Sequence, residues 1–266
     1  MIPFCKVEHE FLSAGRDSEN RDVREVRLYP LGDLHIGHKA FQRSLFREKV
    51  REILADPAGL CVLTGDLIEN VTRSSVGDIF AELEIVNPQD QCDEAIAELR
   101  PLKDRIIGSV QGNHEWRTPK DMGLDPMKYI SMGLEIPYWR DAAILSLAVG
   151  LGNNWRPVLY TIYLSHLSGG GSTDGGKVNA LSKTSKVAIV DVSIGGHTHM
   201  PETHKAAILV PDLRTGRVEE RVIQYVNAGT YQGQSGFGVR KAIGVPVLGS
   251  PTIRLNGRRR KVTAEV

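Results

Sequence analysis

Cysteine is scarce. Cys5, Cys61 and Cys92 are the only three in 266 residues, an odd number with no Cys-x-x-Cys spacing, which argues against a disulfide framework or a thiolate zinc site and points to a reducing compartment. Long apolar runs are missing as well. No stretch reaches membrane-spanning length, and the first thirty residues carry Glu8, Glu10, Arg16, Asp17, Glu19, Arg21, Asp22 and Arg24 where a secretory leader would need an unbroken hydrophobic region. A soluble, cytoplasmic protein with no membrane contact is expected. Net charge is nearly absent too: 33 Lys and Arg stand against 32 Asp and Glu, so attraction to nucleic acid would have to come from a local patch. One such patch exists. From Phe237 onward Arg240, Lys241, Arg254, Arg258, Arg259, Arg260 and Lys261 oppose the single acid Glu265. With 41% hydrophobic and 24% charged residues, the composition suits one large domain over residues 1–236, followed by a basic extension over 237–266 that forms an arm or edge strands.

What the chain does have is histidine beside glycine. Five of its eight histidines fall in Gly32-Asp33-Leu34-His35, Gly112-Asn113-His114-Glu115, Ser165-His166 and Gly195-Gly196-His197-Thr198-His199, and Gly65-Asp66 adds a further carboxylate. Taken alone, Asp33-x-His35 reads as a helix cap beside an ordinary exposed histidine. Five clusters at strand exits change that reading, because borderline divalent metals need imidazole, carboxylate and amide oxygens brought together on turns. Asp33, His35, Asp66, Asn113, His166, His197 and His199 make seven candidate ligands, too many for one four-coordinate site and suited to two ions sharing a carboxylate. His197 and His199, two apart on an extended segment, would face one cavity and reach separate ions. His9, His38 and His204 are assigned surface or packing roles, with His38 near the rim.

The order of elements supports this placement. Residues 24–31 and 60–63 read as strands leading to Asp33 and Asp66, Phe41 to Leu54 as an amphipathic helix, Ala95 to Leu102 as a second helix, and 105–110 as the strand before Gly112. Residues 142–149 and 158–164 read as a strand pair before His166, 187–194 as a strand before Gly195, and 206–210 with 217–226 as a hairpin. The rhythm of strand, motif and helix is that of an α/β sandwich. Gly171-Ser-Thr-Asp-Gly-Gly176-Lys177 satisfies a phosphate-loop spacing, but Val178 stands where Ser or Thr should hold magnesium, so residues 168–176 read instead as a mobile lid over the site. Arg258-Arg259-Arg260-Lys261 reads as a solvated tail or a nucleic-acid contact. Trp116 and Arg117 could pack their loop, or stack a base and pair a phosphate.

In this order, Gly-Asp-Leu-His, Gly-Asp, Gly-Asn-His-Glu, His and Gly-His-Thr-His resemble the calcineurin-like metallophosphoesterases over roughly residues 25 to 230. Small stand-alone members of bacteria and phages are nearest in size. The resemblance implies a four-layer αββα sandwich of two mixed sheets with helices outside. It implies that Asp33, His35 and His199 hold one ion, that Asn113, His166 and His197 hold another, and that Asp66 bridges them; Mn²⁺ leads the candidates, ahead of Fe, Zn²⁺ and Ni²⁺. His114 matches the family's non-ligand histidine facing the leaving group, and Glu69 the acid that orients it. Asn227-Ala228-Gly229-Thr230 resembles the Asn-Pro-Gly-Ser turn that often follows the last histidines. Asn70 and Gln111 replace the two phosphate-gripping arginines of phosphoprotein phosphatases, while Asp-x-His-x-Gly is similar to the opening of repair nucleases. The expected function is a binuclear-metal phosphodiesterase or nuclease acting on DNA, RNA or nucleotides, with Asn70, Trp116 and Arg117 touching substrate. A phosphomonoesterase and a non-catalytic metal-bound assembly component are the alternatives.

Overall fold

A computed structural model describes residues 1–9, 25–72, 75, 80–150, 156–169, 173–240 and 244–266. The strands are β1 (Phe4–Lys6), β2 (Glu25–Leu31), β3 (Gly59–Leu63), β4 (Ile106–Val110), β5 (Tyr138–Trp139), β6 (Ala142–Val149), β7 (Val158–Ser165), β8 (Val192–Gly195), β9 (Pro201–Asp212), β10 (Arg217–Ala228), β11 (Thr252–Asn256) and β12 (Val262–Glu265). The helices are α1 (Arg43–Ala55), α2 (Pro88–Leu99), α3 (Arg117–Met122), α4 (Pro126–Leu134), α5 (Asp174–Ser182) and α6 (Gly236–Arg240). They build two six-stranded mixed sheets, ordered β12-β11-β2-β3-β4-β5 and β1-β6-β7-β8-β10-β9.

Burial on both faces explains the apolar character of the central strands. Every residue of β3 and β4 is buried, as expected for parallel strands covered on each side. Val26, Leu28, Leu60 and Val62 point between the sheets, onto Leu145, Leu147, Ile162 and Ile194 of the second sheet. Their alternate neighbours Tyr29, Leu31, Cys61 and Leu63 point outward, onto Phe46 and Ile53 of α1, Ile96 of α2 and Ile130 of α4. On the far side Leu181 of α5 packs on Ile223 and Tyr225 of β10. The layers therefore run helix, sheet, sheet, helix.

Register places the loops that matter. Leu31 pairs in parallel with Leu63, so β2 and β3 end level, and Asp33 N–H donates to Gly65 C=O at 3.0 Å just beyond them. In the second sheet β7 and β8 also run parallel, Leu164 beside Ile194, and release His166 and His197 together.

Three expectations change. The run 187–194 is a strand only from Val192; Lys183–Lys186 is a 3₁₀ turn, and Val187 and Ile189 are exposed. Residues 174–176, read as lid, open α5: the Thr173 hydroxyl caps it by accepting from Gly176 N–H at 3.3 Å, and Asp174 complements the helix N-terminus. Of the other expected lid positions, Ser168 and Gly169 belong to no helix or strand, Thr173 is the cap, and 170–172 lie outside the described residues. The hairpin is longer than expected, because β9 and β10 pair over twelve residues each, with Arg217 opposite Asp212 and Ala228 opposite Pro201. Within 237–266, β11 joins the first sheet antiparallel to β2 and β12 forms its edge. Among the described residues no helix is long and apolar enough to cross a membrane.

Candidate metal centre

Five loops leave the ends of β2, β3, β4, β7 and β8 on one side of the sandwich and converge. Their backbone is unusual. Eight described residues other than glycine have positive φ, and five of them are Asp33 (48°), His35 (51°), Asp66 (50°), His197 (71°) and His199 (54°). Left-handed backbone is costly for residues with a Cβ and collects where surrounding structure enforces it, typically at functional sites. The expected extended geometry of His197-x-His199 is thus corrected. Both residues are left-handed, and their rings diverge into two groups: His199 lies with Asp33 and His35, whereas His197 lies with Asp66 and His166.

The loops also touch backbone to backbone. Gly65 has φ of 89°, and a Cβ there would run into the Gly112 backbone; a Cβ on Gly112 would strike the Asp66 carboxylate. Glycine at these two positions lets β3 and β4 deliver Asp66 and Asn113 side by side.

Hydrogen bonding around the rings leaves an imbalance in the middle. His35 Nδ1 donates to Glu69 Oε2 at 2.9 Å, and His166 Nδ1 to Thr64 C=O at 2.7 Å. Each bond fixes the tautomer and turns a bare Nε2 inward. His35 Nε2 then lies 3.0 Å from His199 Nε2, which is itself 3.3 Å from Asp33 Oδ1. His166 Nε2 lies 2.9 Å from Asn113 Oδ1 and 3.3 Å from Asp66 Oδ2. Lone pairs face lone pairs, so each group requires a cation, a proton or a metal ion, between its members. Asp66 Oδ1 is taken by His114 N–H at 2.8 Å, while Oδ2 also stands 4.0 Å from His35 Nε2, between the two groups.

Charge follows geometry. Burial alone would raise Asp66, but His166 and His114 hold it well below the usual carboxylate range. Burial opposes a charge on His166, yet the Asp66 carboxylate outweighs it and pushes the imidazole up to about 10. His35 is raised likewise, its burial overcome by the bond to Glu69, and Glu69 falls to about 2 as that same bond overrides its burial. In the ion-free protein His166 is therefore protonated at neutral pH, and a metal ion requires it neutral. Uptake must expel that proton, so apparent affinity rises with pH, about tenfold per unit for each proton released, below a pH of about 10. Calorimetry with Mn²⁺ in buffers of different ionisation enthalpy measures the release; an affinity flat between pH 6 and 9 would contradict it.

Several bracing residues stand inside the quoted motifs, but no role for them was expected. Glu115 is fully buried and accepts four backbone N–H groups: Asp66 (2.9 Å), Leu67 (2.6 Å), Ile68 (3.2 Å) and Gly112 (2.9 Å). Burial, with the Asp66 charge, pushes its carboxyl up to about 7, while the four donors favour the ionised form. Glu115 thereby locks the Asp66 loop to the Asn113 loop. Buried Asn227 bonds Gly196 C=O and the Thr198 hydroxyl, and Thr230 Oγ1 donates to Asp33 C=O at 2.7 Å. The stretch 227–230 thus steadies both histidine-bearing turns.

The expected substrate and proton-transfer residues separate. His114 Nδ1 donates to Glu69 C=O at 2.8 Å, and its Nε2 accepts from Arg117 Nη2 at 2.9 Å; burial lowers its pKa to about 4. Glu69 reaches His114 chiefly through its carbonyl, its carboxylate being turned to His35 and standing 3.4 Å from His114 Nδ1. Asn70 does not face solvent: it is fully buried, donates to His114 C=O and exchanges bonds with the Thr118 hydroxyl, so it braces the loop and offers a substrate nothing. Gln111 is buried on Asp125. Trp116 is 40% exposed with the Arg140 guanidinium 4.0 Å above its ring, which leaves only one face for stacking. His38 bonds Glu82 and the Ala40 N–H.

No protein-family model and no curated protein matches the chain. Solved structures are similar over its length. A conserved uncharacterized protein from Streptococcus pneumoniae, described as a predicted phosphoesterase, is 15% identical with a TM-score of 0.36, covering 90% of this chain and 88% of that one. A single mutant of Vps29 from Entamoeba histolytica is 18% identical with a TM-score of 0.43, covering 90% of both. A novel phosphatase from Mycoplasma pneumoniae is 12% identical with a TM-score of 0.40, covering 91% and 93%. Likeness this distant carries no weight for chemistry. The two mixed sheets with helices outside are the layered fold that the resemblance led us to expect.

Proposed function

We propose that the chain is a binuclear metal-dependent phosphoester hydrolase of the calcineurin-like type. The observation that carries the reading is the acceptor-only core: His35, His199 and Asp33 facing one point, His166, His197, Asn113 and Asp66 facing another, with both ring tautomers preset to leave Nε2 bare. The first three residues would hold one ion, and His166, His197 and Asn113 the second. Asp66 Oδ2 would serve both, and Mn²⁺ is the proposed metal. Two such ions supply neutralisation of phosphoryl oxygens and lower the pKa of coordinated water.

The chain's own groups do the rest. His114 stands beside Asp66 with Nε2 3.9 Å from Oδ2; its Nδ1–H is anchored by Glu69 C=O, and Nε2, bonded at rest to Arg117, would give a proton to a leaving oxygen only after the ring has taken one up there in exchange for that bond. Arg117 keeps a positive charge against that ring and has N–H groups suited to a phosphoryl oxygen. Charge matching favours diesters. The two places where phosphoprotein phosphatases carry arginine hold neutral, buried Asn70 and Gln111, so beyond the two ions only Arg117, itself held on Glu69 C=O, is left to grip phosphoryl oxygens, fewer charged contacts than suit a dianionic monoester. Nucleic acid or nucleotides are the proposed substrate class. His114→Ala is expected to lower kcat on bis-p-nitrophenyl phosphate by about 10²–10⁴ with ion content unchanged. A wild type that prefers p-nitrophenyl phosphate would instead be a phosphomonoesterase, and one that binds ions but turns over neither ester would be an assembly component.

A further inference from the structure

The opposite end of β8 carries a second, chemically different site. Asp191 precedes β8 as His197 follows it, which separates the two ends by up to about 20 Å. A cavity of about 330 Å³ opens there between the overhanging β9–β10 hairpin and the strand β12.

Its lining divides into three kinds of group. Cations come first. Lys205 and Lys261 are exposed and have no ion-pair partner among the described residues, while Arg260 spends Nε and Nη2 on Asp191 at 2.7 and 2.8 Å and keeps Nη1 uncommitted. Asp191 adds no free negative charge, since it also accepts from the Thr161 N–H and hydroxyl. Acceptors come second. Gln224 is 2% exposed, and its Nε2 donates to His204 C=O at 3.0 Å and Tyr225 C=O at 3.2 Å, yet its Oε1 has no partner. Two carbonyl partners on Nε2 fix the amide orientation, so the orphan is an acceptor, and a buried acceptor left unpaired is costly. Glu220, four residues earlier on the same face of β10, adds another. Ile189, Val190, Val222 and Val262 form an apolar wall, and Arg221, paired with Glu219, completes the lining.

We propose that this cavity is a non-catalytic binding site for a mononucleotide: a phosphate monoester whose other half is flat, largely apolar and rich in hydrogen-bond donors. With Arg260 and Asp191 paired to each other, the two ammonium groups supply the positive charge for the phosphate and Arg260 Nη1 adds a hydrogen-bond donor. Glu220 matches amino or hydroxyl donors, the apolar wall matches a base, and the buried Gln224 Oε1 would take a further donor once the ligand displaces what covers it. The site is independent of the metal centre, so it stands or falls separately from the phosphoesterase reading.

Equilibrium dialysis of the full chain against each 5′-mononucleotide and against inorganic phosphate tests it. At least one mononucleotide is expected to bind below about 1 mM, equally well before and after ions are removed by chelation. The exposed pair Lys205→Glu/Lys261→Glu is expected to weaken it at least tenfold with ion content unchanged. Gln224→Leu is expected to weaken the mononucleotide and leave phosphate unaffected. Binding that vanishes with the ions, that survives Lys205→Glu/Lys261→Glu, or that is seen for phosphate alone would overturn the proposal, as would no binding at all.

Discussion

Asp66→Asn is expected to lower phosphoester turnover roughly a thousandfold, about 4 kcal/mol of transition-state stabilisation, and, if the centre is binuclear as proposed, to cut bound metal from two ions per chain to one or none. The magnitude follows from position. Oδ1 is occupied by His114 N–H, leaving Oδ2 as the one carboxylate oxygen between the two groups. An amide there removes the charge that pushes His166 up to about 10, and if its nitrogen takes the Oδ2 place it sets a donor where a lone pair is needed. Metal content and kcat/KM, measured together, check this. A variant that keeps two ions and works within tenfold of wild type would show that Asp66 shapes the loop without serving the ions.

Glu115→Gln tests the clamp that no motif role foretold. The substitution keeps shape but turns one of two oxygens, each receiving two N–H donors, into a donor. Two buried N–H groups then lose their acceptor, at a cost of roughly 2–4 kcal/mol, or roughly 5–15 °C in Tm for a chain of this size. Activity should fall at least tenfold even well below Tm, because the same bonds align Asp66 with the loop of Asn113 and His114. Thermal melting and assays at 20 °C separate the two effects, and unchanged values of both would mean the clamp is dispensable.

Much of this site was legible because ligand chemistry is local. Asp33, His35, Asp66, Asn113, His166, His197 and His199 each sit where an apolar run stops, and a sequence shows both the run and the stop. The residues that hold them were less visible, since bracing is a matter of contact across loops. Glu115 was in view as part of its motif, but its four donors come from Gly112 and from residues 66–68, nearly fifty positions away. Asn70 was misplaced for the same reason, being read from its likeness to a substrate position when Thr118 and the His114 carbonyl claim it. Local signals were also passed over: Asp125 caps α4 by accepting from Lys128 N–H at 2.9 Å, directly before Pro126, and Thr173 caps α5 although Gly175 and Gly176 suggested a loop. The double left-handed turn at His197 and His199 has no local signature beyond the preceding glycines, because the contacts of Asp33 and Asn227 impose it.

Anomalous diffraction from crystals grown with Mn²⁺ addresses the centre most directly. Two peaks about 3.5–4 Å apart are expected, one against Asp33, His35 and His199, the other against Asn113, His166 and His197, with Asp66 touching both. A single peak, or a pair that leaves His166 or Asp66 without an ion, would contradict a binuclear centre.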